Sequence, residues 1–266
     1  MKRLLREARV YGKLWRMLML SSIEYRGWPL MFLQVLFVVV TDPLSTVLMF
    51  SRFGAVGEWT VERMILVYAL SVASFGLAEV FCRGFDSFPW SMVRTGNFDR
   101  LLLRPCSLFT QAAASRFHLH RIVRPITCLA AVAWALRQMH VTLTPWDVLI
   151  LLGALAGGFI MYSGVFILTS GLSFYTVKGL DWIYILTNAS YQVTRVPQNY
   201  LPRVMRYAFT FLLPVLVISV YPASAVCGWG SPTWLGTLAL PAGAAFFALS
   251  LVVWRIGVRH YTSTGS

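Results

Sequence analysis

The chain has 266 residues, of which 58% are apolar and only 12% are charged. A soluble domain carries about 25% charged residues, so this sequence holds too little charge to cover a soluble exterior. The 23 Lys and Arg residues outnumber the 10 Asp and Glu residues and give a formal net charge of +13. This composition excludes an ordinary soluble enzyme, a secreted disulfide scaffold and a disordered tail, and it predicts an all-α integral membrane protein.

Residues 1–27 are predicted to form an amphipathic helix that lies in the membrane interface. Cations recur every three or four residues on one face, and apolar side chains recur on another. Arg6, Arg9 and Lys13 are expected to face the lipid headgroups, with Trp15 at the boundary. Anchoring to anionic lipid and docking of a partner protein explain this pattern equally well.

Residues 28–266 are predicted to form one domain with six membrane spans. Apolar windows of about 20 residues identify five of them. These clear spans are 28–50, 61–81, 125–146, 147–174 and 235–256. The stretch 180–234 is apolar but interrupted by prolines. It holds either a fifth span at 181–196 followed by short helices that dip back into the membrane, or a single span at 207–222.

The distribution of cations predicts the orientation of the chain. Most Lys and Arg residues precede residue 28 or lie in the loop 83–124. By the positive-inside rule, both termini and this loop are cytoplasmic. The same rule favours the single span at 207–222, because that arrangement also places Arg195, Arg203 and Arg206 on the cytoplasmic side.

Within the cytoplasmic loop, residues 94–105 are predicted to form a short docking element. Gly96 and the following asparagine can break the chain and cap a helix that begins near residue 98. Asp99 then lies near the helix N-terminus, where a negative charge is favoured. A proline at 105 ends the helix. A helix with charged ends and an apolar middle, set between two spans, is poorly explained as a simple tether.

Residues 96–105, Gly-Asn-Phe-Asp-Arg-Leu-Leu-Leu-Arg-Pro, resemble the G-x-(L/F)-D-x-x-L-x-R-P signature of exporter-type (type-2 class) ABC transporter permeases. The triplet at 221–223 and the tail from residue 255 also match one branch of that family, so the resemblance covers essentially the whole chain. It implies that the segment is a coupling helix in contact with an ATPase subunit. The residues assigned to that contact are Gly96, Asp99, Arg100, Leu102, Arg104 and Pro105.

The resemblance also implies a topology and a set of partners. A fifth span would be followed by a re-entrant hairpin at about 203–229 on the outer side, and we adopt this arrangement over the one that the charges favour. The chain would be the permease subunit of an ABC exporter in the bacterial inner membrane, paired with an ABC ATPase and a second permease and surrounded by lipid. ATP and Mg would bind to the ATPase, with no cofactor on this chain and no nucleic acid as a partner.

Two acidic residues within the spans are functional candidates, because ionisable groups are costly inside a membrane. Glu79 lies near the inner end of the second span, and Arg83 at i+4 is its expected partner. Asp42 lies in the outer half of the first span without a local partner. It either pairs with a cation of the re-entrant region or marks a kink with Pro43.

Several kinds of catalytic site are missing from the sequence. It contains no G-x-x-x-x-G-K-[ST], so ATP hydrolysis is expected on another polypeptide and not on this chain. The four cysteines form no C-x-x-C pair, and the His118-x-His120 pair has no third ligand nearby. An ion-gradient-driven transporter and a lipid-modifying enzyme are the alternative functions. The first would normally show an internal repeat, and the second a cluster of polar catalytic residues.

Overall fold

The computed structural model describes residues 2–24, 26–53, 57–104, 106–175, 181–230 and 232–261. Within these ranges the chain forms α-helices joined by short turns, and no β-strand occurs. The prediction of an all-α protein is confirmed. The helices are α1 (Lys2–Glu24), α2 (Trp28–Thr41), α3 (Leu44–Phe53), α4 (Val61–Phe88), α5 (Phe98–Leu102), α6 (Leu108–Ala113), α7 (Val123–Gln138), α8 (Pro145–Leu172), α9 (Asp181–Gln192), α10 (Arg203–Tyr207), α11 (Val215–Cys227), α12 (Thr233–Gly236) and α13 (Ala239–His260).

Among the described residues, five helical stretches are long and apolar enough to cross a membrane. They are Trp28–Leu48, Val61–Val93, Leu119–Gln138, Pro145–Leu172 and Thr233–His260. A sixth is obtained if the bent pair of α10 and α11 is counted as one span. Each of the five corresponds to a span that the apolar windows predict, so the membrane-spanning class of the fold is confirmed.

The boundary between the third and fourth spans was predicted wrongly. The helix that was expected to reach residue 146 ends at Gln138, and 139–144 form a connection. The cause is a capping box: the backbone N–H of Asp147 donates to Thr144 Oγ1 (3.3 Å), and that of Thr144 donates to Asp147 Oδ2 (2.9 Å). This reciprocal pair starts α8 at Pro145, where proline is favoured in the first turn.

The prolines in the stretch 180–234 divide it into short helices. Helix α9 has 12 residues and is continued by a 3-10 turn, Val193–Arg195. Val196 is extended, as expected for a residue before proline. A second helical segment, Arg203–Leu212, then meets α11 at an angle of 94°. The bent pair begins at the residue where the resemblance places the hairpin.

Helix α4 lies at the centre of the protein and packs against α7 and α8. The Phe75 ring contacts Tyr162 and Phe166 of α8, with centroids 5.3 and 5.6 Å apart. The Ser71 and Tyr162 hydroxyls form a buried hydrogen bond of 2.7 Å. In contrast, only Val39 is buried in α2, whose residues are all described. Most of the apolar surface of the first span is therefore left uncovered by the rest of the described chain.

Helices α8 and α13 approach each other closely where glycine replaces a side chain on both. A Cβ built on Gly157 would collide with the carbonyl of Ala239, and one built on Gly243 would collide with the carbonyl of Gly157. Small residues at such positions let membrane helices approach closely, and these two glycines make that contact.

Gly157→Ala is expected to lower the free energy of unfolding by about 1–3 kcal/mol, because the added methyl group overpacks the α8–α13 contact. Gly153→Ala, on the same helix, is the matched control, since no atom lies within 4 Å of a Cβ at that position. The control is expected to be neutral or stabilising by up to about 1 kcal/mol. Unfolding by SDS in mixed micelles measures both. Equal effects of the two substitutions would contradict the close packing.

Candidate functional site

The docking element predicted at 94–105 is a turn followed by the five-residue helix α5. Gly96 has φ +68°, a left-handed conformation that a side chain would disfavour. Helix α5 begins at Phe98, as predicted, but the expected cap is different. The Asn97 side chain does not cap α5 and instead donates to Thr95 Oγ1 (2.8 Å). Pro105 lies outside the described residues.

Phe98 holds α5 against the membrane-spanning helices. Its side chain is 0% exposed, and its ring lies 5.6 Å from Phe88, 5.2 Å from Phe174 and 4.6 Å from Tyr261, measured between centroids. These three residues follow or end α4, α8 and α13. Sequence reasoning assigned no role to Phe98, although an apolar residue at this position of the signature was a usable signal.

The apolar residues of α5 divide into a buried and an exposed set. The three leucines of the apolar middle, 101–103, were all expected to fill the helix interior; only Leu101 is buried, whereas Leu102 and Leu103 are 51% and 86% exposed. Arg100 and Arg104 are exposed on either side of them. We call Arg100, Leu102, Leu103 and Arg104 the docking surface. A hydrogen bond from α6 holds the docking surface in position: Gln111 Nε2 donates to the Leu101 carbonyl (3.2 Å).

Asp99, the acidic residue of the signature, is half-buried beside Tyr261, the residue that follows α13. Burial raises the pKa of the Tyr261 phenol, and the neighbouring Asp99 carboxylate raises it further. Asp99 thus faces the protein and not the exposed side of α5. Among the predicted coupling residues that the structure describes, Gly96 and Asp99 set the conformation of the segment. Arg100, Leu102 and Arg104 are exposed on its surface.

Helix α1 packs its apolar face against the protein and leaves its basic face exposed. The Tyr11 hydroxyl donates to the Phe81 carbonyl (2.7 Å), and burial raises the pKa of this phenol. The Trp15 ring lies between Phe81 and Phe117, at 6.4 and 4.8 Å. On the opposite face, the exposed cations include Arg6, Arg9 and Lys13.

Helix α1 and the docking surface flank one cleft of 350 Å³. Leu14 and Met17 of α1 line one side, and Arg100 and Arg104 line the other. The Glu7 carboxylate also accepts the backbone N–H of Ser107, just after the segment, at 3.3 Å. The two elements that the sequence singles out, α1 and the segment with α5, are therefore brought together at one end of the bundle.

Glu79 lies in a cluster of charges between α4 and the start of α7. Its carboxylate is 3% exposed and accepts from Arg83 (2.8 Å), as predicted at i+4, and from Arg124 (2.8 Å). Arg121 forms a third ion pair with the same carboxylate, and Arg83 also pairs with Asp86 (3.2 Å). Sequence reasoning missed Arg121 and Arg124, whose only signal was their position immediately before the third span.

Asp42 forms an ion pair with Arg195, at 2.7 Å between Oδ2 and a guanidinium nitrogen. Tyr68 of α4 donates to the same carboxylate oxygen (3.2 Å), and the Arg195 guanidinium lies 5.4 Å from the centre of the Tyr68 ring. The helix also breaks at Asp42 and Pro43, between α2 and α3. Asp42 therefore pairs with a cation, although this cation lies before the bent pair and not within it as predicted. The helical stretch Trp28–Leu48 runs through Pro43 as one candidate span, so the predicted kink is not a sharp bend.

We expect a double-mutant cycle of Asp42→Asn and Arg195→Gln to give a coupling energy of about 1–2 kcal/mol. Both side chains are about one quarter exposed, so the value should lie below that of a fully buried ion pair. SDS unfolding of the four proteins measures the coupling. Additive effects would mean that the ion pair does not hold the break in the first span.

His118 and His120 lie side by side, with ring centroids 5.3 Å apart. Burial, followed by the charges of Arg121 and its neighbours, lowers the pKa of His118 to about 4, so this ring is neutral near pH 7. Within the described part of the chain, no group of three His, Cys, Asp or Glu residues is placed to hold a metal ion.

Comparison with known proteins gives one family. The family model described as "ABC-2 family transporter protein" matches residues 36–265, most of the chain and all of its predicted spans except the start of the first. No significant match is found among curated proteins. None is found among solved structures.

Proposed function

The chain belongs to the ABC-2 family of transporter proteins, and from this premise we propose that it is the permease subunit of an ABC exporter. In this proposal, a separate ATPase subunit binds ATP and Mg and hydrolyses the ATP. The chain itself holds no cofactor and passes the motion of the ATPase to the membrane-spanning helices. Export is the proposed direction because residues 96–105 are similar to the signature of exporter-type permeases.

The observation that carries the coupling proposal is the docking surface. Leu103 is almost fully exposed on a helix that Phe98 fixes in place, and exposed apolar residues flanked by charge are typical of protein interaction sites. An apolar hollow on the ATPase, with acidic groups at its rim, is the complementary partner. Because α5 is held rigidly against the bundle, it can transmit force to the helices that it contacts. A loop held only at its ends would deform instead.

The contacts of α5 indicate which helices would move if the ATPase displaced it. Phe98 touches rings at the ends of α4, α8 and α13, and α1 is joined to the same region through Glu7 and Tyr11. Displacing α5 and α1 together would therefore bias three spans at once. These spans are packed and move as units, because tightly packed interiors deform little.

The proposed topology places both termini, α1 and α5 in the cytoplasm of a bacterial cell, with the inner membrane as the location. In this topology the segment 181–196 makes the sixth crossing, and the bent pair is a re-entrant hairpin at the outer face, close to the level of the Asp42–Arg195 pair. The exposed apolar surface of α2 is available to lipid and to a second permease. In a variant whose four native cysteines are replaced, single cysteines introduced at 103 and 143 test the orientation: a membrane-impermeant maleimide applied to intact cells is expected to label position 143 and not position 103.

Co-purification in mild detergent tests the proposed partner. The tagged full chain, extracted from the membranes of its own host, is expected to retain an ATPase that carries a G-x-x-x-x-G-K-[ST] motif. Asp99→Arg combined with Arg104→Glu is expected to abolish both this retention and ATP-dependent transport. If no such ATPase co-purifies and the double variant transports normally, the permease proposal fails. Transport that requires an ion gradient but no ATP would favour the secondary-transporter alternative.

A further inference from the structure

A small polar cavity lies at the end of α4 that is opposite to α5. It has a volume of 160 Å³, room for more than a single water molecule. Its walls come from three separate parts of the chain: the turn before α4, the 198–200 turn and the end of α11. None of these residues belongs to the docking surface or to the ion pairs described above.

Trp229 gives this cavity an unused hydrogen-bond donor. The side chain is 9% exposed, and its Nε1–H has no hydrogen-bond partner among the described residues. Trp229 is held in place by its ring contact with Trp59, 5.1 Å between centroids, and by its backbone N–H, which donates to the Ser224 carbonyl (3.0 Å). A buried donor left without an acceptor is costly, so a ligand that supplies one is favoured.

Both signs of charge line the same cavity. The Arg63 guanidinium lies 4.6 Å from the centre of the Trp229 ring, and one of its nitrogens donates to the Glu58 backbone carbonyl. Glu58 contributes an exposed carboxylate, and it takes part in none of the ion pairs found in the described part of the chain. The amides of Gln198 and Asn199 complete the wall. The cavity therefore offers hydrogen-bond donors to an anionic oxygen and acceptors to an ammonium group of the same ligand.

The location of the cavity indicates the source of such a ligand. Trp59 and Trp229 pack together at 5.1 Å, immediately before α4 enters its span at Val61 and just after α11 ends. Tryptophans at the ends of spans lie at the level of the lipid headgroups. We propose that this cavity binds the headgroup of a phosphatidylethanolamine lipid, with the phosphate at Trp229 and Arg63 and the ammonium at Glu58. This site is independent of ATPase coupling.

The test is lipid binding to the purified, delipidated full chain, measured by native mass spectrometry with phosphatidylethanolamine or phosphatidylglycerol. The wild-type protein is expected to retain one phosphatidylethanolamine in preference to phosphatidylglycerol. Trp229→Phe keeps the ring but removes the donor, and it is expected to lower this retention about tenfold, the effect of losing one hydrogen bond to a charged group. Trp234→Phe, an exposed tryptophan at the same end, is the matched control and should retain the lipid.

Glu58→Gln separates recognition of the ammonium from recognition of the phosphate, and its exposed position makes a folding defect unexpected. It is expected to remove the preference for phosphatidylethanolamine while leaving phosphatidylglycerol binding unchanged. Equal retention of both lipids by the wild-type chain would overturn the proposal, as would equal effects of Trp229→Phe and Trp234→Phe. Binding of soluble phosphoethanolamine as tightly as the lipid would show that the ligand is a free metabolite and would overturn the assignment to a lipid.

Discussion

Replacing Glu79 by Gln is expected to lower the free energy of unfolding by about 3 kcal/mol, the largest effect of a single isosteric change in this protein. The carboxylate is 3% exposed and is shared by Arg83, Arg121 and Arg124. Gln keeps the shape but removes the charge, so three mostly buried guanidinium groups would face one another without their common counter-ion. SDS unfolding in mixed micelles measures the loss.

Asp86→Asn is the matched control for Glu79→Gln. Asp86 pairs only with Arg83 in the described part of the cluster, at 3.2 Å, and it is more exposed than Glu79. We therefore expect its substitution to cost about 1 kcal/mol or less. A Glu79→Gln variant that loses no more stability than Asp86→Asn would contradict the central role of the Glu79 carboxylate.

The source of the Glu79 effect is tested by removing one of the stranded cations. Arg121→Met in the Glu79→Gln background is expected to restore part of the stability, because it takes away a charge that no longer has a partner. In the wild-type background the same substitution should be destabilising. A loss of stability of the same size in both backgrounds would mean that packing, and not charge, explains the defect.

The charge cluster illustrates how far local sequence rules reach. The Glu79–Arg83 pair follows from spacing along one helix and was predicted. Arg121 and Arg124 lie 42 and 45 residues from Glu79, and only the folding of the loop onto α4 brings them to it. The Asp42–Arg195 pair is similar, since the sequence offered Asp42 either a cation of the re-entrant region or a kink with Pro43, and the actual partner lies before that region.

Helix boundaries, in contrast, are decided by residues a few positions apart, so the sequence alone can predict them. The Thr144–Asp147 capping box is readable as T-x-x-D before an apolar run, and it overrides the apolar window that placed 139–146 in the third span. The extended Val196 before Pro197 likewise follows from a two-residue rule. The signature marks position 98 as apolar, but no local rule indicates that its partner is Tyr261, 163 positions along the sequence.

Leu103→Asp is expected to separate docking from folding at α5. Because Leu103 is 86% exposed, the substitution should change the free energy of unfolding by no more than about 0.5 kcal/mol. In the proposed complex, the same side chain would place a charge in the apolar hollow that we infer on the ATPase. The loss of a buried leucine alone is worth about 1.5–3 kcal/mol, so retention of the ATPase should fall at least about tenfold.

Two further variants make the Leu103 result specific. Leu143→Asp introduces the same charge at another exposed leucine, 45% exposed in the connection between α7 and α8, and should leave ATPase retention unchanged. Phe98→Ala removes the buried anchor and should lose about 3–5 kcal/mol of stability together with the ATPase. Retention of the ATPase by Leu103→Asp at the level of Leu143→Asp would show that the ATPase does not bind at the exposed leucines, whatever holds α5 in place.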